Sequence, residues 1–189
     1  MSKIYSPQET AAISGAPLAV IQKAITKRKI PAQAIGPTKR RRLDETALLA
    51  FALIETLPPE LHLTSDAAYR LLRGMPSESR GGGTLTIGKL VKIDTTRALA
   101  AARRRLALYD RARKIIVSDP EIMGGMPTIR GTRITAQSIL GRLENGDSIE
   151  SVLDDYPYLD RASVEAAALY AKANPPRGRP TGKLWRRAS

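Results

Sequence analysis

The hydrophobic pattern switches repeatedly between helical and strand spacing, and Gly or Pro marks nearly every switch. Ser6-Pro7 opens a helix through Ile13, Ser14-Gly15 turns it, and Pro17 restarts a second with Leu18, Ile21, Ala24 and Ile25 on one face. Gln22, Lys23, Thr26 and Lys27 share the opposite, polar face. Ala32 to Ile35 and Lys39 to Leu43 flank a Gly36-Pro37-Thr38 turn and predict a hairpin. Asp44 then caps a helix that carries Leu48, Leu49, Ala52 and Leu53 inward. The order is helix, turn, helix, wing, helix. Pro58-Pro59 predicts the start of another helix bearing Leu61, Leu63, Ala67, Ala68, Leu71 and Leu72, with His62 among them.

Residues 76–83, rich in Gly and Ser, read as a linker. Thr84 to Asp94 alternates and predicts either a hairpin or one strand bent at Gly88. Asp94 and Thr95 cap a long helix to Lys114, striped by Leu99, Ala102, Leu106 and Tyr109, with Arg103, Arg104, Arg105, Arg111 and Arg113 around the rest. Strands over 85–93, 115–118 and 128–134 are expected to form one small sheet beneath that helix, either as a layer of the domain that follows or as a dimer-forming arm.

Between Asp119 and Ile134, Gly124, Gly125, Pro127 and Gly131 separate apolar residues, which predicts strand, tight turn, strand with glycines at positive φ. Arg130 and Arg133 flank Gly131-Thr132 and set two guanidinium groups beside bare backbone, suited to an anion or an acidic partner. The ordinary alternative is a β-turn with two solvated arginines. Three short helices follow. The first spans Thr135 to Leu143 and stops at Asn145-Gly146; the second spans Ile149 to Tyr156, capped by Asp147 or Ser148 and ended by Pro157. Asp160 caps the third, whose Val164, Ala167, Ala168 and Tyr170 run out at Asn174-Pro175-Pro176. This trihelical order resembles a helix-turn-helix.

Composition narrows the chemistry. The 189 residues contain no cysteine and one histidine, which excludes disulfides, thiolate metal sites and histidine acid–base pairs. Glu150, Asp154 and Asp155 share a helix face, but such spacing is that of a solvated surface, so no catalytic residue, metal or cofactor is expected and the protein is read as not an enzyme. No run approaches a membrane span and the start lacks a signal-peptide core, giving an expected cytoplasmic location. The net charge of +13 is unevenly spread: Lys plus Arg against Asp plus Glu is 11 to 6 over residues 1–75, 12 to 5 over 76–134, 3 to 7 over 135–174 and 5 to 0 over 175–189. Phosphate affinity is electrostatic, so the front suits a polyanion, and the acidic trihelical block suits packing or self-association.

The run D-P-E-I-M-G-G-M-P-T-I-R-G-T-R-I, the segment G-D-S-I-E-S-V-L-D-D-Y-P-Y-L and the A-A-A-L-Y-A ending resemble the bacterial family called domain of unknown function 433. Members resemble VapB-type antitoxins and are often found beside PIN-like toxin genes. At the front, S-P-Q-E-T-A-A-I-S-G, then K-R-K-I-P-A and the basic K-R-R-R-L-D, is similar to the excisionase-like, MerR-type winged helix-turn-helix.

The expected fold is therefore mainly α (α+β): a winged helix-turn-helix over 1–75, a linker over 76–83, a small β-element with a long helix and the trihelical domain over 84–174, and a flexible basic tail over 175–189. The expected function is a dimeric, DNA-binding antitoxin that represses its own operon and neutralises a PIN-like ribonuclease. Gln22, Lys23, Thr26 and Lys27 with Lys39, Arg40, Arg41 and Arg42 are the candidate DNA contacts, the first group for base edges and the wing for phosphates. Lys183, Leu184, Trp185, Arg186 and Arg187 are the candidate toxin contacts, with an arginine meeting the toxin's metal-binding carboxylates. The alternatives are a stand-alone regulator or architectural protein without a toxin, and a tail that contacts DNA or only solubilises.

Overall fold

The computed structural model describes residues 3–35, 37, 39–58, 60–75, 82–87 and 91–176. Among them are eight α-helices and three small antiparallel sheets, a mainly helical α+β fold as expected. Three strands and three helices make the front: β1 (Ile4–Tyr5), α1 (Pro7–Ser14), α2 (Leu18–Thr26), the hairpin of β2 (Gln33–Ile35) and β3 (Arg40–Asp44), and α3 (Glu45–Thr56). Ser6 caps α1 in a full capping box, its hydroxyl accepting from Glu9 N–H while the Glu9 carboxylate accepts from Ser6 N–H. Gly15 ends α1 at φ 90°, a left-handed position that glycine takes without strain. The hairpin pairs Gln33 with Arg42, Ala34 with Arg41 and Ile35 with Arg40.

β1 was not anticipated. Two residues are too few to show alternation, yet Ile4 and Tyr5 pair with Asp44 and Leu43 and make the hairpin a three-stranded sheet of order β1-β3-β2. α3 is apolar nearly all round, and Ala47 through Leu53 are all buried, so it sits at the centre of the first core. Burying Leu48, Phe51 and Leu53 contributes about 1.5–3 kcal/mol each.

The helix expected from Pro58-Pro59 begins later. α4 spans Ser65–Gly74, capped by Thr64, whose hydroxyl accepts from Ala67 N–H. A side-chain cap and the acidic Asp66 in the first turn fix that start, while Leu61 and His62 remain exposed outside the helix. The linker over 76–83 lies outside the described residues apart from Gly82 and Gly83.

Of the two readings of 84–94, the hairpin is found: β4 (Thr84–Ile87) pairs with β5 (Val91–Asp94). α5 (Thr95–Ile115) follows directly, and its Leu99, Ala102, Leu106 and Tyr109 are buried as their spacing predicts. The single sheet expected over 85–93, 115–118 and 128–134 does not form. Among the described residues, β6 (Ile116–Val117) pairs with β7 (Thr128–Ile129) and not with the β4–β5 hairpin, from which the 21 residues of α5 carry the chain away. Between β6 and β7 a 3-10 turn at Met123–Gly125 reverses the chain with Gly124 at φ 62°.

α6 (Ala136–Glu144), α7 (Ile149–Asp155) and α8 (Arg161–Ala173) close the fold, capped by Thr135, Ser148 and Asp160. Ile116, Ile129, Ile139, Val152, Val164 and Ala167 form a second core. α8 belongs to both: Val164, Ala167 and Ala171 face the second core, whereas Leu169 and Ala173 join the first beside Tyr109. α5 and α8 thus strap the trihelical block to α1.

Candidate nucleic-acid interface

α2 presents Gln22, Lys23, Thr26 and Lys27 outward while Ile21, Ala24 and Ile25 are buried, the division its amphipathic spacing dictates. Gln22 comes together with Arg40, Arg41 and Arg42 around one open cleft of about 730 Å³, which Glu9 of α1, Arg113 of α5 and Asn174 at the end of α8 also line. Lys39, at the hairpin turn, is exposed and held at φ 46°.

The three hairpin arginines have different fates. Arg42 donates to Oε2 of Glu9 at 3.1 Å, so part of its charge is already matched. Arg40 and Arg41 make no ion pair among the described residues. Arg41 also lines a second cleft of about 520 Å³ together with Arg28, Lys29, Tyr69 and Arg70, and there Arg70 is paired with Asp66 at 2.7 Å. Arg28 and Lys29 thus carry the basic surface past Arg41 to the other side of the hairpin, a grouping that sequence separation concealed.

Glu9 is the residue that sequence reasoning missed. Only 5% exposed, it accepts from the Tyr109 hydroxyl at 2.7 Å as well as from Arg42 and Ser6 N–H, and Arg113 Nη2 lies 3.7 Å away. Tyr109 in turn accepts from Asn174 Nδ2 at 3.0 Å and stacks on Tyr170 at 6.2 Å. Burial pushes the Tyr109 phenol well above its ordinary pKa, with the Asn174 hydrogen bond opposing that rise and Glu9 adding to it. An acid in a first helical turn reads as a cap and dipole partner; that it is also buried follows only from where α5 packs. The capping box S-P-Q-E was the available signal.

Arg130 and Arg133 are not alike. Arg130 donates through Nη2 to the Lys114 carbonyl at 3.1 Å, and its N–H goes to Ile115 O, so it satisfies carbonyls at the C-terminus of α5. Arg133 is exposed and makes no ion pair among the described residues. Gly131 takes φ 76°, as its place in the turn predicts. In the acidic block, Arg142 pairs with Asp147 at 2.6 Å and Asp155 at 2.7 Å, and Arg161 pairs with Glu150. No acidic or histidine cluster able to hold a metal occurs among the described residues. Nor is any described helix long and apolar enough to cross a membrane. Lys183, Leu184, Trp185, Arg186 and Arg187 lie outside the described residues.

Residues 116–171, from β6 to α8, match the model of a family described as "Protein of unknown function (DUF433)". A curated relative, the "Uncharacterized protein y4eO" of Sinorhizobium fredii (strain NBRC 101917 / NGR234), is 37% identical over 91 residues, or 48% of this chain and 41% of that protein. The chain thus spans about two fifths of the length of the curated relative it matches. Among solved structures, that of Rv2018 from Mycobacterium tuberculosis aligns over 86% of this chain and 95% of its own at 16% identity, with a TM-score of 0.33.

Proposed function

We propose that this protein is a DNA-binding antitoxin of a type II toxin–antitoxin system, in which residues 1–75 act as a winged helix-turn-helix on operator DNA and residues 183–187 engage a PIN-like ribonuclease. What carries the DNA reading is the convergence of Gln22 on α2 with Arg40 and Arg41 on the β2–β3 hairpin around one open, basic cleft. A short helix with a polar outer face suits the major groove, and a basic hairpin beside it suits the flanking phosphates. Gln22 and Lys23 then read base edges, Thr26, Lys27 and Lys39 border the groove, and Arg40 and Arg41 hold the backbone. Arg42 contributes less, because Glu9 already accepts from it. The toxin half of the reading rests on the family resemblance of residues 116–171 and on the cationic tail with its single tryptophan, Trp185.

One observation favours a stand-alone regulator instead: Asn174 and Pro175 line the same cleft as Gln22 and Arg40, so the chain enters its five-cation tail beside the proposed DNA face. On this reading the tail's cations would add phosphate contacts. The two readings separate in one experiment. The full chain and a variant ending at Pro176 are each assayed for binding to their own upstream DNA and for rescue of growth from the neighbouring gene's product. An antitoxin loses rescue and keeps DNA binding on truncation. A regulator loses DNA affinity and shows no rescue in either form. Absence of DNA binding by the full chain removes both.

A further inference from the structure

We propose that Arg113, on the long helix α5, is a phosphate contact, so that the DNA footprint crosses from the front module onto the helix leading into residues 116–171. The proposal rests on the DNA reading above and extends it to a residue outside the helix-turn-helix and wing. Arg113 forms a wall of the cleft that holds Gln22, Arg40, Arg41 and Arg42. Its guanidinium lies over the Tyr109 ring at 5.7 Å, which steers the side chain toward the cleft while leaving it 44% exposed.

Glu9 leaves Arg113 available. The Glu9 carboxylate already accepts from Tyr109, Arg42 and Ser6 N–H, and at 3.7 Å the Arg113 contact is an attraction without a hydrogen bond. Among the described residues, four arginines therefore line the cleft against a single carboxylate. An excess of guanidinium donors in an open, solvent-lined cleft is the chemistry that a nucleic-acid backbone recognises. Tyr109 and Arg113 stand four residues apart on one face of α5, so the group that anchors α5 to α1 also sets the position of the phosphate contact.

The test is a salt titration of the full chain on a fluorescein-labelled duplex of generic sequence. Arg113→Gln should weaken binding and lower the slope of log affinity against log salt by about 1, and Arg113→Lys should restore most of that slope. Arg104→Gln, an exposed arginine on α5 that does not line the cleft, should change neither. Glu9→Gln removes the one carboxylate and should tighten binding, a direction that mere structural damage would not produce. If Arg40→Ala and Arg41→Ala lower the slope but Arg113→Gln does not, Arg113 is no contact and the DNA reading stands. If none of these variants alters binding, the DNA reading itself fails.

Discussion

The Tyr109 hydroxyl donates to Oε1 of Glu9 at 2.7 Å across 100 positions of sequence, and this bond ties α5 to the first turn of α1. Because Glu9 is buried, removing the donor leaves Oε1 without a hydrogen bond, with only Arg113 attracting it from 3.7 Å. Tyr109→Phe should therefore cost about 1–3 kcal/mol and lower Tm by about 2–4 °C for each kcal/mol. Thermal unfolding followed by circular dichroism measures it. A Tm equal to the parent's would show that Glu9 is served well enough by Arg42 and Ser6.

Tyr5 offers the opposite case. It is fully buried on β1, yet its hydroxyl finds no hydrogen-bond partner among the described residues. Deleting an unsatisfied buried hydroxyl loses no native bond and relieves a desolvation cost. Tyr5→Phe should leave Tm unchanged or raise it, in contrast to Tyr109→Phe; a loss of several degrees would reveal a partner for that hydroxyl.

The same two phenols predict alkaline instability. Burial raises both above the ordinary tyrosine pKa, with Glu45 adding to the rise at Tyr5. The sign follows: a group with a raised folded pKa contributes its full stability below the unfolded value of about 10 and loses it as pH climbs toward the folded one. Urea midpoints should be flat through about pH 9 and fall steeply above about pH 10. The Tyr5→Phe, Tyr109→Phe double variant should fall less steeply, and an identical slope in both proteins would place the alkaline transition elsewhere.

Local signals were the legible part of the fold. Ser6, Asp44, Asp94, Ser148 and Asp160 all cap the helices that follow them, because a capping bond involves only residues two or three apart. The start of α4 was misread because Pro58-Pro59 is as good a first turn as Thr64-Ser65-Asp66 when neighbours are unknown. The sheets were misjoined for a related reason: strand pairing is non-local, and two-residue strands such as β6 and β7 carry no alternation. In the candidate site, the grouping of Gln22 with the hairpin arginines was readable from a helix followed by a charged hairpin. Glu9 and Arg113 were not, since their meeting depends on α5 packing against α1.

Two glycines separate backbone need from open space. Gly131 sits at φ 76° and Gly141 inside α6, and a Cβ added to either meets nothing within 4 Å. Steric room is equal, so only conformation distinguishes them. Gly131→Val should cost about 1–3 kcal/mol, as a β-branched residue is strained at that φ. Gly141→Ala should stabilise by about 0.5–1 kcal/mol through helix propensity. Urea denaturation of the two variants gives both numbers, and a destabilised Gly141→Ala would mean that this face of α6 is covered in solution.

Asp160 joins a helix cap to an ion pair, and acid separates the two. Its carboxylate accepts from Ser163 N–H at 2.7 Å and meets Arg111 Nη2 of α5 at 2.6 Å, so it both starts α8 and links it to α5. The Ser163 bonds, followed by Arg111, hold its pKa below the usual aspartate value. A lowered folded pKa means that the contribution is complete above the unfolded value of about 3.9 and disappears as pH falls through the folded one. The group is 61% exposed, so salt screens the pair and only a fraction of its Coulomb energy counts toward stability. Asp160→Ala should cost about 1 kcal/mol at neutral pH through the lost cap. Asp160→Asn keeps a cap oxygen and removes the charge, so its smaller deficit should shrink with added salt. Between about pH 5 and about pH 2 the wild-type midpoint should descend toward that of Asp160→Asn, because protonation makes the two side chains equivalent in charge. If the gap between them persists at the acid end, the Arg111 pair contributes nothing, and the deficit of the asparagine variant comes from cap geometry alone.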